Sequence, residues 1–511
     1  MRILVLGSDN FIKPLRVLGH EVFTASPETP ADPDWSGLRA SGHANGLKID
    51  AILVTDNVGH RTLPTGLWAA EAVTVFYGVD APLNRFWQMP YARLFDLAFL
   101  DQPQEALALA AGHSGAAWLP VGVDASLYDS RDRPPQKPGV GFVGVVDPQA
   151  RPKRSAMLAK IAKLAPLEVQ GGRQGQWFET SRAARLYRSC QVVLNENLFP
   201  GVTTRPLEVM AAGGSLLSEA APGAMDRLFR DGEHLCFFGP DNLQQKLEVL
   251  LGDERLRRRL AEAGRAEVRQ HHGLERRAAE IVKHINEMLN QGQDQRPRAW
   301  GGEALRLEGE ALLWAGLRWP AQEGDKRLLR AAGRLQAAAQ NGGDPLAAAR
   351  GAGRSLMATD NYNDGLPYLR RAGELGGPSD MLAWALAAWQ AGRHPECRQV
   401  LTGLGHLPGE PGQAGFHLAA GRLLARQGQD LSPGFNRQGL DMVLWTGIEH
   451  LLEASALDPG LARAWEGLGD LLLARGAANQ AHDCLQKARA LADRPQLAAK
   501  QDRAAREGYL S

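Results

Sequence analysis

One short stretch of the chain carries side chains suited to an anionic, hydroxyl-rich ligand. In TTRPLEVMAAGG, residues 203–214, two threonines and Arg205 precede a proline, and Glu208 follows two residues after that proline. Proline prefers the first helical position and disfavours the α conformation in the residue before it. The pattern therefore predicts Arg205 as the N-cap and Pro206 as the first helical residue. The closing glycine pair predicts where this short helix ends.

The chemistry of this stretch favours a nucleoside diphosphate. Free N–H groups and the positive dipole end of a helix suit a phosphate, and Thr203, Thr204 and Arg205 would add hydroxyl and guanidinium donors. A carboxylate at Glu208 would accept both hydroxyls of a ribose, as acidic residues do in dinucleotide sites. A structural role is the alternative, but a capping box needs Ser or Thr three residues before the glutamate, where Arg205 stands.

The elements that must position this stretch belong to two successive α/β segments. Over residues 1–130 the predicted strands are RILVLG, EVFTAS, DAILVTD, AVTVFYG, LAFLD and AAWLPVG, and helical pieces such as DNFIKPLRVLG and PQEALALAAG lie between some of them. Buried strands that alternate with helices predict a parallel, doubly wound sheet. The proline- and charge-rich DSRDRPPQKPG, residues 129–139, is predicted to be a linker.

The same alternation returns over residues 139–290. Here the predicted strands are VGFVGVV, LEVQGG, CQVVLNEN and GSLLSE, and three helical stretches close the segment. Two such sheets in tandem enclose a cleft, which is a common place for a ligand. The predicted fold class is therefore α/β, with two Rossmann-like domains followed by an all-α domain.

Residues 303–511 are predicted to be helical throughout and to contain tetratricopeptide-like (TPR-like) repeats. The best copy spans residues 464–495, with small and large residues at Trp465, Leu468, Gly469, Leu472, Gly476, Ala481, Leu485 and Ala488. Earlier copies fit more loosely, and one carries an insertion around DLSPGFNRQG. A solenoid of roughly three to five helix pairs is expected, whose concave groove would bind a protein or peptide. A plain helical bundle is the alternative.

Composition and charge exclude several classes of protein. The chain has 511 residues, which predicts several domains, and 58 basic against 57 acidic residues, which argues against nucleic acid as the main partner. Its four cysteines lie far apart without a CxxC pair, which predicts reduced thiols in a cytoplasmic protein. No apolar run predicts a transmembrane segment, although peripheral membrane association is compatible with the sequence.

The second segment resembles the C-terminal domain of the CgeB-type glycosyltransferases of the GT-B superfamily. That family combines an Arg-x-x-Glu with a glycine ending, a Phe-x-x-Gly-x-Glu and a closing helix with His and Arg. The corresponding residues are Arg205, Glu208, Gly213, Phe229, Gly232, Glu233, His271 or His272, and Arg276. Upstream, VGFVGVVDPQARPKRSAML, GVDAPLNRF and WLPVGVDASLY are similar to further family segments. The resemblance covers about residues 1–290 and is most specific over 195–277.

The resemblance implies a GT-B arrangement and transfer of a sugar from a nucleotide-diphosphate sugar to an acceptor, such as a protein or a cell-surface glycan. It implies that Glu208 holds the ribose and that Arg205 and Thr204 face the diphosphate. Lys153 or Arg154 would neutralise the leaving group, which gains charge in the transition state. Many retaining GT-B enzymes carry a second glutamate eight positions before the ribose glutamate; here that position is Pro200.

Two residues of the first segment are further candidates. Asp80, in FYGVDAP, follows a predicted strand on the cleft side and is a candidate catalytic base or sugar-binding group; a turn-forming role is the alternative. Gly7 ends the first strand without a GxGxxG fingerprint, which disfavours a nicotinamide dinucleotide. It would either allow a tight turn or let the backbone approach donor or acceptor. His60 and Asp124 rank lower, and Asp124 is expected to cap a turn.

No metal or cofactor is expected. The adjacent histidines His271 and His272 project in different directions from a helix, which is poor metal-ligand geometry. Asp32 and Asp34 form the chain's Asp-x-Asp pair, but they lie in a proline-rich loop. Metal-independent transfer is therefore predicted. Two other functions stay open: a non-catalytic adaptor that retains the GT-B fold and acts through the helical repeats, and, less favoured, a nucleotide-sugar epimerase.

Overall fold

The chain divides into two compact units, Met1–Ala299 and Trp300–Ser511, in a computed structural model. The structure describes residues 1–25, 32–40, 48–56, 61–129, 134–148, 151–171, 179–291, 296–319, 323–403, 414, 417–418, 421, 447–474, 477–492 and 494–509. Within them, no helix is long and apolar enough to cross a membrane.

The first unit opens with a parallel six-stranded sheet. Its strands are β1 (Arg2–Gly7), β2 (Glu21–Thr24), β3 (Ala51–Thr55), β4 (Val73–Gly78), β5 (Leu97–Leu100) and β6 (Ala116–Trp118). Their order is β2-β1-β3-β4-β5-β6, and every pair is parallel. Three of the four inner strands, β3, β4 and β5, are buried along their whole length, because helices cover both faces of a parallel sheet. Each strand coincides with a predicted apolar run.

Four helices connect these strands in the described residues: α1 (Ile12–Val17), α2 (Trp35–Ala40), α3 (Ala81–Ala92) and α4 (Pro103–Ala110). The predicted helical pieces around α1 and α4 are confirmed. Helix α3 was not among the predicted elements, yet its buried positions recur at helical spacing, and Trp87 and Tyr91 both pack edge-on against Phe76. Aromatic burial outweighs the proline that lies inside this helix.

A second parallel sheet follows. Its strands are β7 (Lys137–Val143), β8 (Leu167–Gln170), β9 (Cys190–Asn195), β10 (Leu216–Glu219) and β11 (Cys236–Phe238), in the order β11-β10-β9-β7-β8. The helices of this segment are α5 (Pro152–Ala162), α6 (Thr180–Ser189), α7 (Thr204–Ala212), α8 (Leu243–Gly252), α9 (Glu254–His271) and α10 (Leu274–Leu289). Four strands match the predicted runs. The fifth, β11, was missed because three residues are too few to show a periodicity.

The last helix of the second segment returns to the first sheet. Ala278, Ile281, Ile285 and Met288 of α10 are buried in the same core cluster as Ile3 and other residues of the first sheet. Further on, the buried Arg298 pairs with Asp96 at 3.3 Å and donates to the carbonyl of Ala70 at 2.6 Å. The chain after α9 therefore holds the two sheets together in one unit.

Helix α7 begins two residues earlier than its proline predicts. Thr203 is the N-cap and Thr204 the first helical residue, so the prediction of Arg205 as N-cap and Pro206 as first residue is wrong. The first N–H groups of a helix have no partner within it, and proline is therefore tolerated through the first turn. The predicted end is correct: Gly213 is the C-cap, with a left-handed φ of 81°.

All described elements of the second unit are helices, which confirms its predicted helical character. They are α11 (Gly301–Arg318), α12 (Gly324–Gln340), α13 (Pro345–Met357), α14 (Tyr362–Leu375), α15 (Pro378–Gln390), α16 (His394–Gly403), α17 (Gly447–Leu457), α18 (Ala462–Ala474), α19 (Ala478–Leu491) and α20 (Pro495–Tyr509). Small residues let neighbouring helices approach: a Cβ added at Gly353 or Gly469 would lie 2.5 Å from a leucine Cγ of the next helix. The insertion around DLSPGFNRQG lies outside the described residues.

Replacing Gly7 by alanine should destabilise the first unit. Gly7 has a left-handed φ of 95°, and an added Cβ would lie 2.0 Å from the carbonyl oxygen of Thr55. Backbone strain and overlap together should lower the free energy of unfolding by about 3 kcal/mol, measured by chemical denaturation. Gly112→Ala is the matched control, because no atom lies within 4 Å of its added Cβ. Equal stability of the two variants would contradict this explanation.

Candidate functional site

The carboxyl ends of the second sheet gather the residues singled out in the sequence. Helix α7 starts there, Glu196 directly follows β9, and Glu219 ends β10. In parallel α/β sheets, ligands bind at this edge, where successive loops leave a crevice. The arrangement places Arg205 and Glu208 on one helix beside these strand ends.

Glu208 is held by the hydroxyl of Tyr187 and lies close to a second tyrosine. The hydroxyl of Tyr187, in α6, donates to Glu208 Oε2 at 3.1 Å. Tyr128, which ends a 3-10 turn (Ala125–Tyr128) that follows the first sheet, lies near enough to feel the charge of Glu208. Burial and then the neighbouring carboxylate raise the pKa of both tyrosines well above the ordinary value, so Tyr187 stays protonated as a donor. Glu208 is only half-buried and remains accessible to a ligand.

Arg205 points back toward the sheet rather than along the helix surface. Its guanidinium lies 4.8 Å from the centre of the Phe142 ring and donates to Asn195 Oδ1 at 3.0 Å. A Cβ added at Gly144 would come within 2.6 Å of Arg205 Nη2, so glycine leaves the room that this side chain fills. Thr203 makes no side-chain capping bond and Thr204 is exposed, which leaves both hydroxyls at the helix start.

Lys153 and Arg154, the predicted partners of the leaving group, each have a carboxylate partner. Lys153 Nζ contacts both carboxylate oxygens of Glu219, at 2.6 and 2.8 Å. The buried Arg154 donates through Nε to Glu196 Oε2 at 2.7 Å and through Nη1 to the carbonyl of Val145 at 2.9 Å. Glu196, which is out of register as a second family glutamate, therefore neutralises Arg154. Lys153 is the more accessible cation, with 56% of its side chain exposed.

Asp80 lies at the carboxyl end of the first sheet, at the N-cap of α3. Its backbone is left-handed, with φ 51° and ψ 41°, and its side chain makes no capping bond. Burial raises the pKa of Asp80, while the charges of Arg61 and Arg151 act in the opposite direction. Arg151 precedes α5 of the second sheet. The charge of Arg151, beside the second sheet, therefore acts on Asp80 of the first sheet.

Sequence reasoning missed the two residues that support Asp80. Asp101 is fully buried and accepts hydrogen bonds from the backbone N–H of Asp80 at 2.7 Å and of Ala81 at 3.1 Å. Gln102, also buried, donates to Asp101 Oδ2 at 3.0 Å. The available signal was the aspartate that ends the apolar run LAFLD, since a carboxylate directly after a buried parallel strand lies at the ligand edge.

Two stretches of the chain pass between the sheets, one around Pro120 and one at the start of α10. Arg277 joins them, whereas the family pattern has its arginine at Arg276. Arg277 Nε donates to the carbonyl of Pro120 at 2.7 Å, and Nη2 lies 2.9 Å from Nδ1 of His272. The N–H of Val123 donates to the carbonyl of His272 at 3.1 Å. Burial, and then the charge of Arg277, lower the pKa of His272 to about 4, so this histidine is neutral and structural.

The remaining candidates have structural partners. Asp124 accepts from the N–H of Ser126 at 3.0 Å, which confirms its predicted turn-capping role. Asp32 accepts from the N–H of Leu63 at 2.8 Å, and Asp34 from the hydroxyl of Thr65 at 3.0 Å. Among the described residues, no group of three His, Cys, Asp or Glu side chains could hold a metal ion. His60 lies outside the described residues.

Residues 152–283 match the family model described as "Glycosyl transferase-like". This stretch, which contains α5 to α9 and with them Arg205 and Glu208, is therefore a glycosyltransferase-like domain. Comparison with curated protein sequences gives no significant match. The narrower CgeB-type assignment and the TPR-like repeats stay predictions.

Solved glycosyltransferase structures show a distant likeness. The Anabaena protein HepE, solved in complex with UDP, is 15% identical with a TM-score of 0.39 over 56% of this chain and 100% of its own. A glycosyltransferase from Rickettsia africae has 10% identity and a TM-score of 0.39 over 57% and 99%. Sucrose-phosphate synthase from Thermosynechococcus elongatus has 13% identity and a TM-score of 0.40 over 56% and 99%. At identities and TM-scores this low, the likenesses identify no substrate.

The buried carboxyl of Asp101 should make stability depend on pH. Burial, and then the charge of Asp80, raise its pKa from an ordinary 3.8 to about 8. A raised folded-state pKa contributes stability that is fully present below pH 3.8 and is lost as the pH rises through about 8. The free energy of unfolding of the wild type relative to Asp101→Asn should therefore fall by more than about 1 kcal/mol between pH 5 and 8.

Chemical denaturation of both proteins at several pH values measures this difference. In an Asp80→Asn background the dependence should become shallower, because the charge of Asp80, which adds to burial in raising the pKa of Asp101, is gone. A difference that stays constant with pH would show that Asp101 is ionised in the folded protein at all pH values tested.

Proposed function

We propose that this protein is a glycosyltransferase that moves a sugar from a nucleotide-diphosphate sugar to an acceptor, with its two sheets in the GT-B arrangement. One observation carries the proposal. A half-buried carboxylate, Glu208, accepts a hydrogen bond from the hydroxyl of Tyr187 at the carboxyl edge of a parallel sheet, inside a glycosyltransferase-like domain. Such a carboxylate is oriented before the ligand arrives and is suited to accept the hydroxyls of a ribose.

The start of α7 would hold the diphosphate of the donor. Thr203 and Thr204 lie at the N-cap and first position of the helix, where free N–H groups attract an anion. Arg205 is close behind them, and burial among Phe142 and Asn195 fixes its guanidinium in position. The exposed ammonium group of Lys153, which pairs with Glu219, would turn toward the departing phosphate. Arg154 would stay paired with Glu196 and add positive potential at the site.

Asp80 is the proposed acceptor-side group. As a catalytic base it would take the proton from the acceptor hydroxyl that attacks the donor sugar. Its raised pKa suits proton transfer near neutral pH, because a base works best when its pKa approaches the pH of the reaction. Gly7, at the carboxyl end of β1 in the same sheet, would let the donor or acceptor approach the backbone.

We infer that the reaction needs no metal ion and no cofactor, and that the reduced thiols belong to a cytoplasmic protein. The experiment that tests the proposed function is incubation of the full chain with UDP-, GDP- and dTDP-sugars, with and without EDTA. Released nucleotide that persists in EDTA is the expected result. An isomerised sugar would instead identify an epimerase, and neither binding nor turnover of any nucleotide sugar would identify an adaptor.

The second unit would recruit the acceptor or a partner protein. Its consecutive helices pack closely through small residues, as helix-repeat proteins that offer a concave binding surface do. The proposed partner is a protein or peptide.

Replacing Glu208 by glutamine should weaken the binding of the ribose in particular. A hydrogen bond to a charged group contributes about 1.5–3 kcal/mol, so the nucleoside diphosphate that binds best should lose about ten- to a hundredfold in affinity, measured by calorimetry. The same nucleotide without its 2′- and 3′-hydroxyls should bind wild type and Glu208→Gln about equally.

Glu248→Gln is the matched control for this variant, because Glu248 is an exposed carboxylate of α8 that contacts Gln244 at 2.9 Å. It should bind both nucleotides as the wild type does. Unchanged affinity and turnover in Glu208→Gln would show that the ribose lies elsewhere.

Removing the helical unit, residues 300–511, should separate donor chemistry from acceptor recruitment. The first unit forms its own cores, so nucleotide binding and hydrolysis of the donor should change less than about twofold. Transfer to the protein acceptor, followed with a labelled donor sugar, should fall to background. Full transfer by the shortened protein would exclude a recruiting role for this unit.

A further inference from the structure

The geometry points to Gln102 as a positioning residue that joins the acceptor-side carboxylates to the start of the donor-binding helix. Gln102 follows β5 of the first sheet, whereas Val202 directly precedes the N-cap of α7 beside the second sheet. The side-chain amide of Gln102 hydrogen-bonds Asp101, beside the first sheet, and Val202, beside the second. This inference rests on the proposed function, because it concerns the alignment of Asp80 with the site around Glu208.

Both the N–H and the C=O group of the Gln102 amide form hydrogen bonds, and only one orientation of the amide allows all of them. Nε2 donates to the carbonyl oxygen of Val202 at 2.7 Å and to Asp101 Oδ2 at 3.0 Å, while Oε1 accepts from the N–H of Val202 at 2.9 Å. A flipped amide would bring donor against donor at the Val202 N–H and acceptor against acceptor at its carbonyl. The side chain therefore pairs with Val202 as a neighbouring strand would.

The contact is buried on both sides. Gln102 is 2% exposed and Val202 is fully buried, so water cannot replace these hydrogen bonds. An unpaired buried amide or carbonyl is costly, which makes the pairing hard to break once formed. Gly201 leaves the space that the amide occupies, since a Cβ added there would lie 2.2 Å from Gln102 Oε1.

One continuous set of hydrogen bonds thus runs from Asp80 to α7. Asp101 accepts from the backbone N–H of Asp80 at 2.7 Å, Gln102 donates to Asp101, and Gln102 pairs with the residue before the helix N-cap. Transfer requires the acceptor-side group and the donor-side helix to be aligned closely, because a displacement of about 1 Å at a reacting centre costs about a hundredfold in rate. The hydrogen bonds of Gln102 hold the acceptor-side group and the donor-side helix in this alignment in the folded protein.

The test compares Gln102→Met, which keeps the length of the side chain without its amide, with the wild type. Transfer should fall at least about tenfold in kcat, because the two sides are no longer aligned. The dissociation constant of the nucleoside diphosphate should change less than about threefold, since the groups around Glu208 stay intact. A kcat within twofold of wild type, or a nucleotide affinity that falls together with kcat, would overturn the positioning role.

Gln191→Met is the matched control. Gln191 Oε1 accepts from the N–H of Gly139 at 3.0 Å, a contact within the second sheet, so this variant loses a side-chain amide without touching the link between the sheets. It should keep wild-type kcat. A similar loss of kcat in both variants would mean that general loosening explains the effect, which would overturn the proposal.

A second measurement does not depend on turnover. Spin labels at L107C in α4 and V249C in α8, both exposed positions, report the distance between the sheets in a Cys484→Ser background. Gln102→Met should broaden the distance distribution, whereas Gln191→Met should leave it unchanged. An unchanged distribution in Gln102→Met would overturn the link. If the wild type binds and turns over no nucleotide sugar, the proposed function fails, and this measurement alone decides whether Gln102 holds the sheets in place.

Discussion

The return of α10 to the first sheet is the packing interaction on which the two-sheet unit depends. Its apolar face is buried against strands of the first sheet, and Arg298 then pairs with Asp96 in the same region. Burial of several large aliphatic side chains stabilises such a contact by several kcal/mol. Residues 119–129 lead away from the first sheet and α10 returns to it, so these two stretches position the second sheet.

Arg277 and the Glu208 site show how this anchoring reaches the chemistry. Arg277, on α10, binds the carbonyl of Pro120 in the other crossing segment. A few residues further along that segment lies Tyr128, whose pKa is raised by burial and then by the charge of Glu208. The segment that joins the sheets thus also reaches the proposed ribose-binding carboxylate. Donor binding and the position of the sheets are linked through a short run of residues, and Gln102 adds a second link on the side of Asp80.

Charge pairing is the second theme of the site. Lys153 with Glu219 and Arg154 with Glu196 are ion pairs between residues at the carboxyl edge of one sheet. Bringing cations to such an edge without a partner would be costly while no ligand is bound. The carboxylates therefore keep the cations in place, and a diphosphate would compete for the exposed one. Glu196 is thus the partner of Arg154 and not the second glutamate of the family pattern, whose position is held by Pro200.

The sequence by itself determined the strands, the helical second unit and Glu208 as the residue to examine, because periodicity and the proline and glycine signals are local properties of the chain. It did not determine the start of α7, since proline fits anywhere in the first turn, nor the short strand β11. Only the tertiary structure decided which side chains meet. Tyr128, Tyr187 and Glu208 converge from three separate segments, and Gln102 reaches Val202 across a hundred residues. Such contacts depend on where the packed helices and strands end in space, and no local sequence pattern encodes these positions.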